Sequence, residues 1–479
     1  MAILGSIIKT AIDLRGAIVS EKSPVESQRE VLKNLLEKAK DTAFGKYYGF
    51  SKILEATDIE KAFAEKVPYF DYHQMEAEWW CKTQEGMDDI SWPGKPTYCA
   101  RSSGTTGKTS KRIPVTDEMI EAIRTTGIKQ VGALTNFEIP SDFYEKEIMM
   151  LGSSTNLEEQ DQFLEGEISG ISASNIPFWF RGYYKPGEEI AQMDDWDQKV
   201  ETIAKNARNW DIGALSGIPS WMELMMKKVI EYHDAANIHE IWPNLQVYTT
   251  GGVAFQPYEK SFNQLLAHPI IVIDTYLASE GFLAFQNRPD TTSMKLVTDN
   301  GVYFEFVPFK PEYINDDGSL AQDAPALTLA EVEPSVDYVL IISTVSGAWR
   351  YLIGDTIAFT DVEKAEIKIT GRTKFFLNVV GSQLSVNKME VALREMEEKF
   401  DIKIPEFTLA AVKIDGEFYH HWYLGTETEI DAAEIANALD EALKEANKNY
   451  AVARSKALKG VKVNTVNPEI FHEWNAKNK

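Results

Sequence analysis

Residues 270–281 read Ile-Ile-Val-Ile-Asp-Thr-Tyr-Leu-Ala-Ser-Glu-Gly. The first positions form a short β-branched, apolar run, the pattern of a buried strand. The stretch from Tyr276 to Gly281, directly after it, falls where an open α/β sheet presents its ligand site. An aromatic ring there can stack on a purine, a serine hydroxyl can donate to a phosphate, and a carboxylate can hold the magnesium ion that accompanies a nucleoside triphosphate. A tyrosine and a glutamate at a strand end also serve packing and solvation, so this stretch alone leaves both uses open.

Outward from it, short β-branched or aromatic runs (Gln246 to Thr250, Val302 to Val307, Tyr338 to Ser343) alternate with longer helical segments, which predicts an α/β fold. Between residues 24 and 65, Val31, Leu32, Leu35, Leu36 and Ala39 place an apolar stripe on one helical face. A second helix is predicted from Asp117 to Leu134. After Gly371 come a short strand from Phe375 to Val380, a helix from Val386 to Phe400, strands near Thr408 to Ile414 and Phe418 to Thr426, and a helix from Ile430 to Asn447. We therefore expect a large multi-sheet N-terminal domain with flanking helices over residues 1–376 and a small C-terminal α/β domain over 377–479. No internal repeat or low-complexity tract is visible.

The chain has 479 residues, 44% of them hydrophobic, which predicts two or three packed units rather than disorder. Its formal net charge of -24 works against nonspecific binding of nucleic acid or an anionic membrane, so an anionic nucleotide needs a local site that overrides the global field. The 2 cysteines, Cys81 and Cys99, build neither a disulfide framework nor a zinc site, which fits a reducing compartment. Lys9, Asp13 and Arg15 interrupt the apolar N-terminus, and Leu4, Ile7, Ile8, Ala11, Leu14 and Ile18 recur at helical spacing, so an amphipathic helix and a cytoplasmic location are expected. The 7 histidines match no metal-binding spacing.

Two further segments carry chemistry. Ser102-Ser103-Gly104-Thr105-Thr106-Gly107-Lys108-Thr109-Ser110-Lys111 gathers hydroxyls, glycines and lysines. Glycines let backbone amides converge on a phosphate, hydroxyls add donors, and lysine supplies charge. A solvated loop has the same composition. Gly107-Lys108-Thr109 also matches the end of a P-loop, with Ile270 to Asp274 as its metal-binding strand, but Ser102 stands where that motif needs glycine. The other segment is Tyr351-Leu352-Ile353-Gly354-Asp355 with Thr370-Gly371-Arg372 behind it. An aspartate after glycine at a strand end can accept both ribose hydroxyls, and an arginine farther on can reach the sugar or the phosphate.

The order of these segments, with Ile113-Pro114 and Tyr303-Phe304-Glu305-Phe306, resembles the adenylate-forming superfamily, and more closely the auxin-responsive-promoter family of acyl acid amido synthetases. The likeness runs from about residue 20 to the end. It implies that Ser102, Ser103, Thr105 and Thr106 contact nucleotide phosphates, Tyr276 the adenine, Ser279 the α-phosphate and Asp355 the ribose. It gives Arg372 the ribose or phosphate, Glu280 a magnesium ion, and Gly251-Gly252 a backbone contact with the nucleotide; a tight turn explains the two glycines nearly as well. Lys111 supplies charge to the departing pyrophosphate. The implied reaction uses ATP and Mg2+ to turn a small-molecule carboxylic acid into an acyl-adenylate. An amine, expected to be an amino acid, then takes the acyl group, and no nucleic acid or membrane takes part. Rotation of the small domain near Lys374 would let one site serve both steps.

Family members continue past the position of Trp474, whereas this sequence stops at Lys479, so no C-terminal catalytic lysine is assigned; Lys456, Lys459 and Lys462 also read as a solvated face. The acid pocket is expected between the 117–134 helix and the aromatic segment Ile176 to Tyr184, with Arg124 or Arg181 orienting the acid. An aromatic cluster of this kind is core more often than pocket. An acyl-CoA ligase using coenzyme A, a P-loop NTPase or nucleotide-binding switch, and a silent nucleotide sensor remain as alternatives. Gly381-Ser382-Gln383 replaces a more basic ligase signature and weighs against coenzyme A.

Overall fold

The computed structural model describes residues 22–102, 111–160, 162–178, 180–253, 255–315, 318–373, 376–377, 384–414, 417–428, 430–446, 450–451, 454, 458–471 and 474. The expected N-terminal amphipathic helix lies outside them. Helix α1, Pro24–Ala39, starts at a capping box in which Ser23 and Glu26 satisfy each other's backbone donors, with Pro24 in the first turn where its missing N–H costs nothing. Its predicted stripe is buried throughout. Gln28 fixes the helix to the sheet, donating to the carbonyls of Thr298 and Val302 at 2.8 and 2.9 Å and accepting from the Phe304 N–H at 2.7 Å. The short helix α2, Tyr72–Met75, opens on a second capping box, Asp71 with Gln74. Helix α3, Asp117–Ala133, is the one predicted to Leu134, and Thr116 caps it.

In chain order the early strands are β1 (Tyr98–Ser102), β2 (Lys111–Val115), β3 (Glu147–Leu151), β4 (Glu158–Gln160), β5 (Phe163–Gly166) and β6 (Tyr184–Lys185). Next come β7 (Ile212–Gly217), β8 (Val247–Gly251), β9 (Ile271–Ala278), β10 (Gly281–Phe285), β11 (Met294–Leu296) and β12 (Val302–Pro308). Three long strands follow: β13 (Asp337–Thr344), β14 (Tyr351–Asp361) and β15 (Glu366–Arg372). They assemble a 4-stranded sheet, β2-β1-β5-β4, and an 11-stranded sheet, β12-β13-β14-β15-β11-β10-β9-β8-β7-β3-β6. β1 and β2 run antiparallel with Ser102 opposite Lys111, so the segment between them leaves and returns at one fixed base.

The large sheet changes character at β9. On one side β8, β7, β3 and β6 run parallel, and on the other β10 begins an antiparallel series that ends at β12. The sequence explains the division. Helices such as Trp196–Asn206 and Pro219–Tyr232 separate the parallel strands, supplying the crossovers that parallel pairing requires. β12 to β15 instead fold back on one another. The core over the antiparallel half is aromatic: Trp349 lies 5.7 Å from Phe44 and 4.7 Å from Phe50, all three rings being buried. Each such ring pair contributes about 0.5–1.5 kcal/mol beyond the burial of its area.

The rest of the described chain holds the short strands β16 (Phe376–Leu377) and β17 (Leu384–Ser385), then helix α4 (Val386–Phe400) and strands β18 (Glu406–Ile414) and β19 (Glu417–Gly425). Helix α5 (Ala432–Ala446) and strand β20 (Leu458–Val466) complete it. The 3-stranded sheet runs β18-β19-β20, and its core includes Trp422 and Leu424 from β19 with Ile435, Leu439 and Leu443 from α5. The fold is thus α/β, with a large multi-sheet body and a smaller sheet unit.

Two expectations shift in detail. Tyr276 to Ala278 belong to β9 instead of following it, because antiparallel pairing with β10 extends the strand to a tight turn at Ser279-Glu280. Gly354-Asp355 lies inside β14 instead of at its end. Gly354 takes a φ of 94°, which glycine adopts without strain, and the ladder stays paired past it.

Candidate active site

The site forms where β9, β10, β14, β15 and β2 come together. Tyr276 points off β9 and is buried, and its hydroxyl donates a short hydrogen bond to Asp355 Oδ2. Asp355 and Arg372 are register partners in the β14–β15 ladder, and Arg372 Nε reaches Asp355 Oδ1 at 2.7 Å. Antiparallel pairing therefore converts a separation of 17 residues in sequence into direct contact. Burial pushes the Asp355 carboxyl up, with Arg372 opposing it. Burial and the neighbouring Asp355 carboxylate keep the Tyr276 phenol neutral.

Glu280 sits in the β9–β10 turn and is 7% exposed. Burial raises its pKa, and the Lys111 ammonium at the start of β2 pulls the other way. Lys111 also acts on Asp355, so one cation serves both carboxylates. Tyr351 faces Glu280 closely enough to favour its ionised form. Ser279, beside Glu280, is half-buried. Six predicted residues are thus brought together: Lys111, Tyr276, Ser279, Glu280, Asp355 and Arg372.

Gly251 ends β8 opposite Thr275 of β9. A Cβ there would lie 2.6 Å from Thr275 Oγ1, so close strand packing alone requires glycine. Gly252 turns with a φ of 83°, as a tight turn also demands. Ser102 ends β1 across from Lys111. Ser103, Thr105 and Thr106 lie outside the described residues, as do Gly107-Lys108-Thr109 of the P-loop comparison. A P-loop runs from its lysine and hydroxyl into a helix, whereas here the chain emerges into strand β2.

The donor set fits a magnesium-bound nucleotide. The buried hydroxyl of Thr373, the residue after Arg372, makes no hydrogen bond among the described residues. Buried polar groups are ordinarily satisfied, so this one marks a place where a ligand oxygen could bind. No group of three or more His, Cys, Asp or Glu that could hold a metal occurs among the described residues. A single carboxylate such as Glu280 suits magnesium, which binds through one or two carboxylates, water and phosphate oxygens.

Arg124 is engaged within the fold, donating to Glu121 at 2.5 Å and to the Asn175 carbonyl at 3.1 Å. Arg181 lies 3.8 Å from Glu188 at the surface. Phe178 is 83% exposed, so this part of the aromatic segment is not core; Trp179 lies outside the described residues. Sequence reasoning assigned no role to Tyr351, although it begins the quoted Gly-Asp segment. It missed Tyr72 altogether, because only tertiary structure brings that ring beneath Lys111, with Nζ 5.5 Å from its centroid.

Models of the GH3 family match most of the chain: the N-terminal domain over residues 19–199 and 166–270, the central domain over 295–372 and the C-terminal domain over 387–478. A probable indole-3-acetic acid-amido synthetase, GH3.9 of Oryza sativa subsp. japonica, is 25% identical over 42% of this chain and 46% of its own length. A jasmonoyl--L-amino acid synthetase, GH3.5 of the same organism, is 24% identical over 43% of this chain and 38% of its own. The chain thus spans less than half the length of these curated relatives. The solved GH3.15 acyl acid amido synthetase superposes with a TM-score of 0.76 at 14% identity, over 98% of this chain and 92% of that one. An open conformation of 2-hydroxyisobutyryl-CoA ligase gives 0.54 at 12% identity, over 93% and 88%. The two likenesses in structure speak for the fold, and the three family models, laid in order along the sequence, establish that this chain belongs to the GH3 family.

Proposed function

We propose that this protein uses ATP to activate a small-molecule carboxylic acid as an acyl-adenylate and transfers the acyl group to an amine, most simply an amino acid. The observation that carries the reading is the junction of Tyr276, Asp355 and Arg372 with Glu280 and Lys111. It combines an aromatic ring, a carboxylate suited to ribose hydroxyls, a carboxylate suited to magnesium, and two cations for phosphate. Amido synthetase relatives and the GH3.15 fold support the same class.

In the first half-reaction the acid's carboxylate oxygen attacks the α-phosphorus and pyrophosphate leaves. In the second, the amine attacks the acyl carbon, loses a proton, and AMP leaves. No protein nucleophile is needed, so catalysis rests on positioning and electrostatics. Tyr276 would flank the adenine and Asp355 the ribose, with Arg372 at the sugar or phosphate. Ser279, with Ser102, Ser103, Thr105 and Thr106, would contact phosphate, and Gly251-Gly252 would line the nucleotide pocket. Lys111 would stabilise charge on the leaving pyrophosphate. Glu280 would hold magnesium, which supplies charge neutralisation to the triphosphate. Residues 377–479 are proposed as the small mobile domain. The cytoplasm is the proposed location, a reading supported by a cysteine content of 2, too low for a disulfide framework. No described helix is long and apolar enough to cross a membrane.

The test is carboxylate-dependent exchange of labelled pyrophosphate into ATP, across a panel of aryl, indole and fatty acids and without amine. Exchange with one class identifies the acid. Absence of exchange together with ADP release would replace this reading by an NTPase.

A further inference from the structure

We propose that Tyr72 is a positioning residue for Lys111, its ring holding the ammonium in place beside Glu280 and Asp355; the inference rests on the nucleotide reading of that site. Tyr72 follows a segment laced to the start of β14. The Phe70 N–H donates to the Arg350 carbonyl at 3.0 Å, and the Leu352 N–H donates to the Phe70 carbonyl at 2.7 Å. On its other side, the Tyr72 hydroxyl accepts from the backbone N–H of Arg112 at 3.0 Å, one residue beyond Lys111. Tyr72 therefore meets β2, which carries Lys111, through its side chain, while the Phe70 backbone two residues before it is bonded to β14, which carries Asp355.

Its anchorage on the β2 side is firm. Arg112 pairs with buried Glu165, Nε lying 2.7 Å from Oε1, and donates to Gln84 Oε1 at 3.1 Å. Lys111 has a flexible four-carbon stem with many rotamers, and only some of them place its charge between two carboxylates. A ring face beneath Nζ, 5.5 Å from centroid to nitrogen, favours that subset by cation–π attraction and excludes rotamers that would occupy the ring's own volume. The Tyr72 ring meets the Lys111 ammonium and its hydroxyl meets the backbone of Arg112, so its influence on ATP should pass through Lys111.

A double-mutant cycle read by calorimetric titration with ATP and MgCl2 tests this, using the wild type, Y72L, K111M and the double variant, each checked by thermal melt. Y72L and K111M are each expected to weaken binding about fivefold to tenfold, with the double variant no weaker than K111M alone. Y72F, which keeps the ring, should bind within about threefold of wild type. If Y72L melts early, Y72M at similar volume takes its place in the cycle. Equal losses from Y72L in the presence and absence of Lys111, or wild-type affinity in Y72L, would overturn the role of Tyr72 while leaving the nucleotide reading intact. A wild type that binds no ATP would overturn that reading, and this inference with it.

Discussion

Among the described residues a tyrosine, an aspartate and an arginine meet in both the large and the small sheet unit. In the small unit Tyr450 donates to Asp440 at 2.6 Å, Arg454 grips the same carboxylate with Nε at 2.6 Å and Nη2 at 2.7 Å, and Lys444 adds a contact at 2.9 Å. In the large unit Asp355 has Tyr276 and Arg372, whose side chain is 45% exposed. Burial opposes ionisation of both carboxylates. The bonds from Arg454, Tyr450 and Lys444 outweigh it and hold Asp440 at about 2, whereas burial prevails at Asp355 and raises it. Asp440 is a finished structural contact. At Asp355 the partners present do not offset burial, which is the state expected of a group that waits for ligand hydroxyls.

The strongest way to break this comparison is Asp440→Ala. It strands a buried tyrosine hydroxyl and a guanidinium, and should cost about 3–5 kcal/mol in a denaturant melt followed by Trp422 fluorescence. A cost close to zero would make the two clusters alike.

Acid sharpens the contrast. His420, fully buried behind Asp440 and Tyr450, is pulled down from 6.5 to about 4 by burial. The unfolded chain therefore binds a proton below pH 6.5 that the folded chain refuses, and the small unit should lose about 3 kcal/mol as pH falls from 6.5 to 4. Asp440 stability, present above 3.8, is lost later, between 3.8 and about 2. Asp355 has the opposite sign: its raised carboxyl takes up a proton on folding, so it adds stability as pH drops. A His420→Phe variant should flatten the first loss, and an unchanged profile would remove the assignment.

Next in size are Asp355→Ala and Glu280→Gln, each expected to lower pyrophosphate exchange about 100-fold, worth roughly 2.7 kcal/mol, with the fold retained. Normal exchange in either variant would dismiss that residue from the site. The smallest effect is Arg372→Lys. It keeps the charge but loses the planar fork, and should raise the ATP KM about fivefold with kcat nearly unchanged.

Much of this was legible in the sequence because the residues concerned obey local rules. The β9 run, the α1 stripe and the helices of the small unit follow periodicity, and Tyr276, Glu280, Asp355 and Arg372 lie in short ordered segments. What was not legible depends on distant pairing. No local pattern links Tyr72 to Lys111, or Tyr450 and His420 to Asp440. The extension of β9 through Ala278 depends on β10, and the placement of Gly354-Asp355 inside β14 depends on pairing with β15. The likeness of Gly107-Lys108-Thr109 to a P-loop is local and misleads for the same reason, because the strand that follows it is fixed by pairing with β1.

The hydrogen bond from Tyr276 to Asp355 joins residues 79 apart, and β9 reaches β14 only through β10, β11 and β15. Each intervening edge must dock before the next has a template, and such long-range closure is slow. On dilution from denaturant, secondary structure should therefore return well before nucleotide affinity, and the last kinetic phase should be the one that restores it.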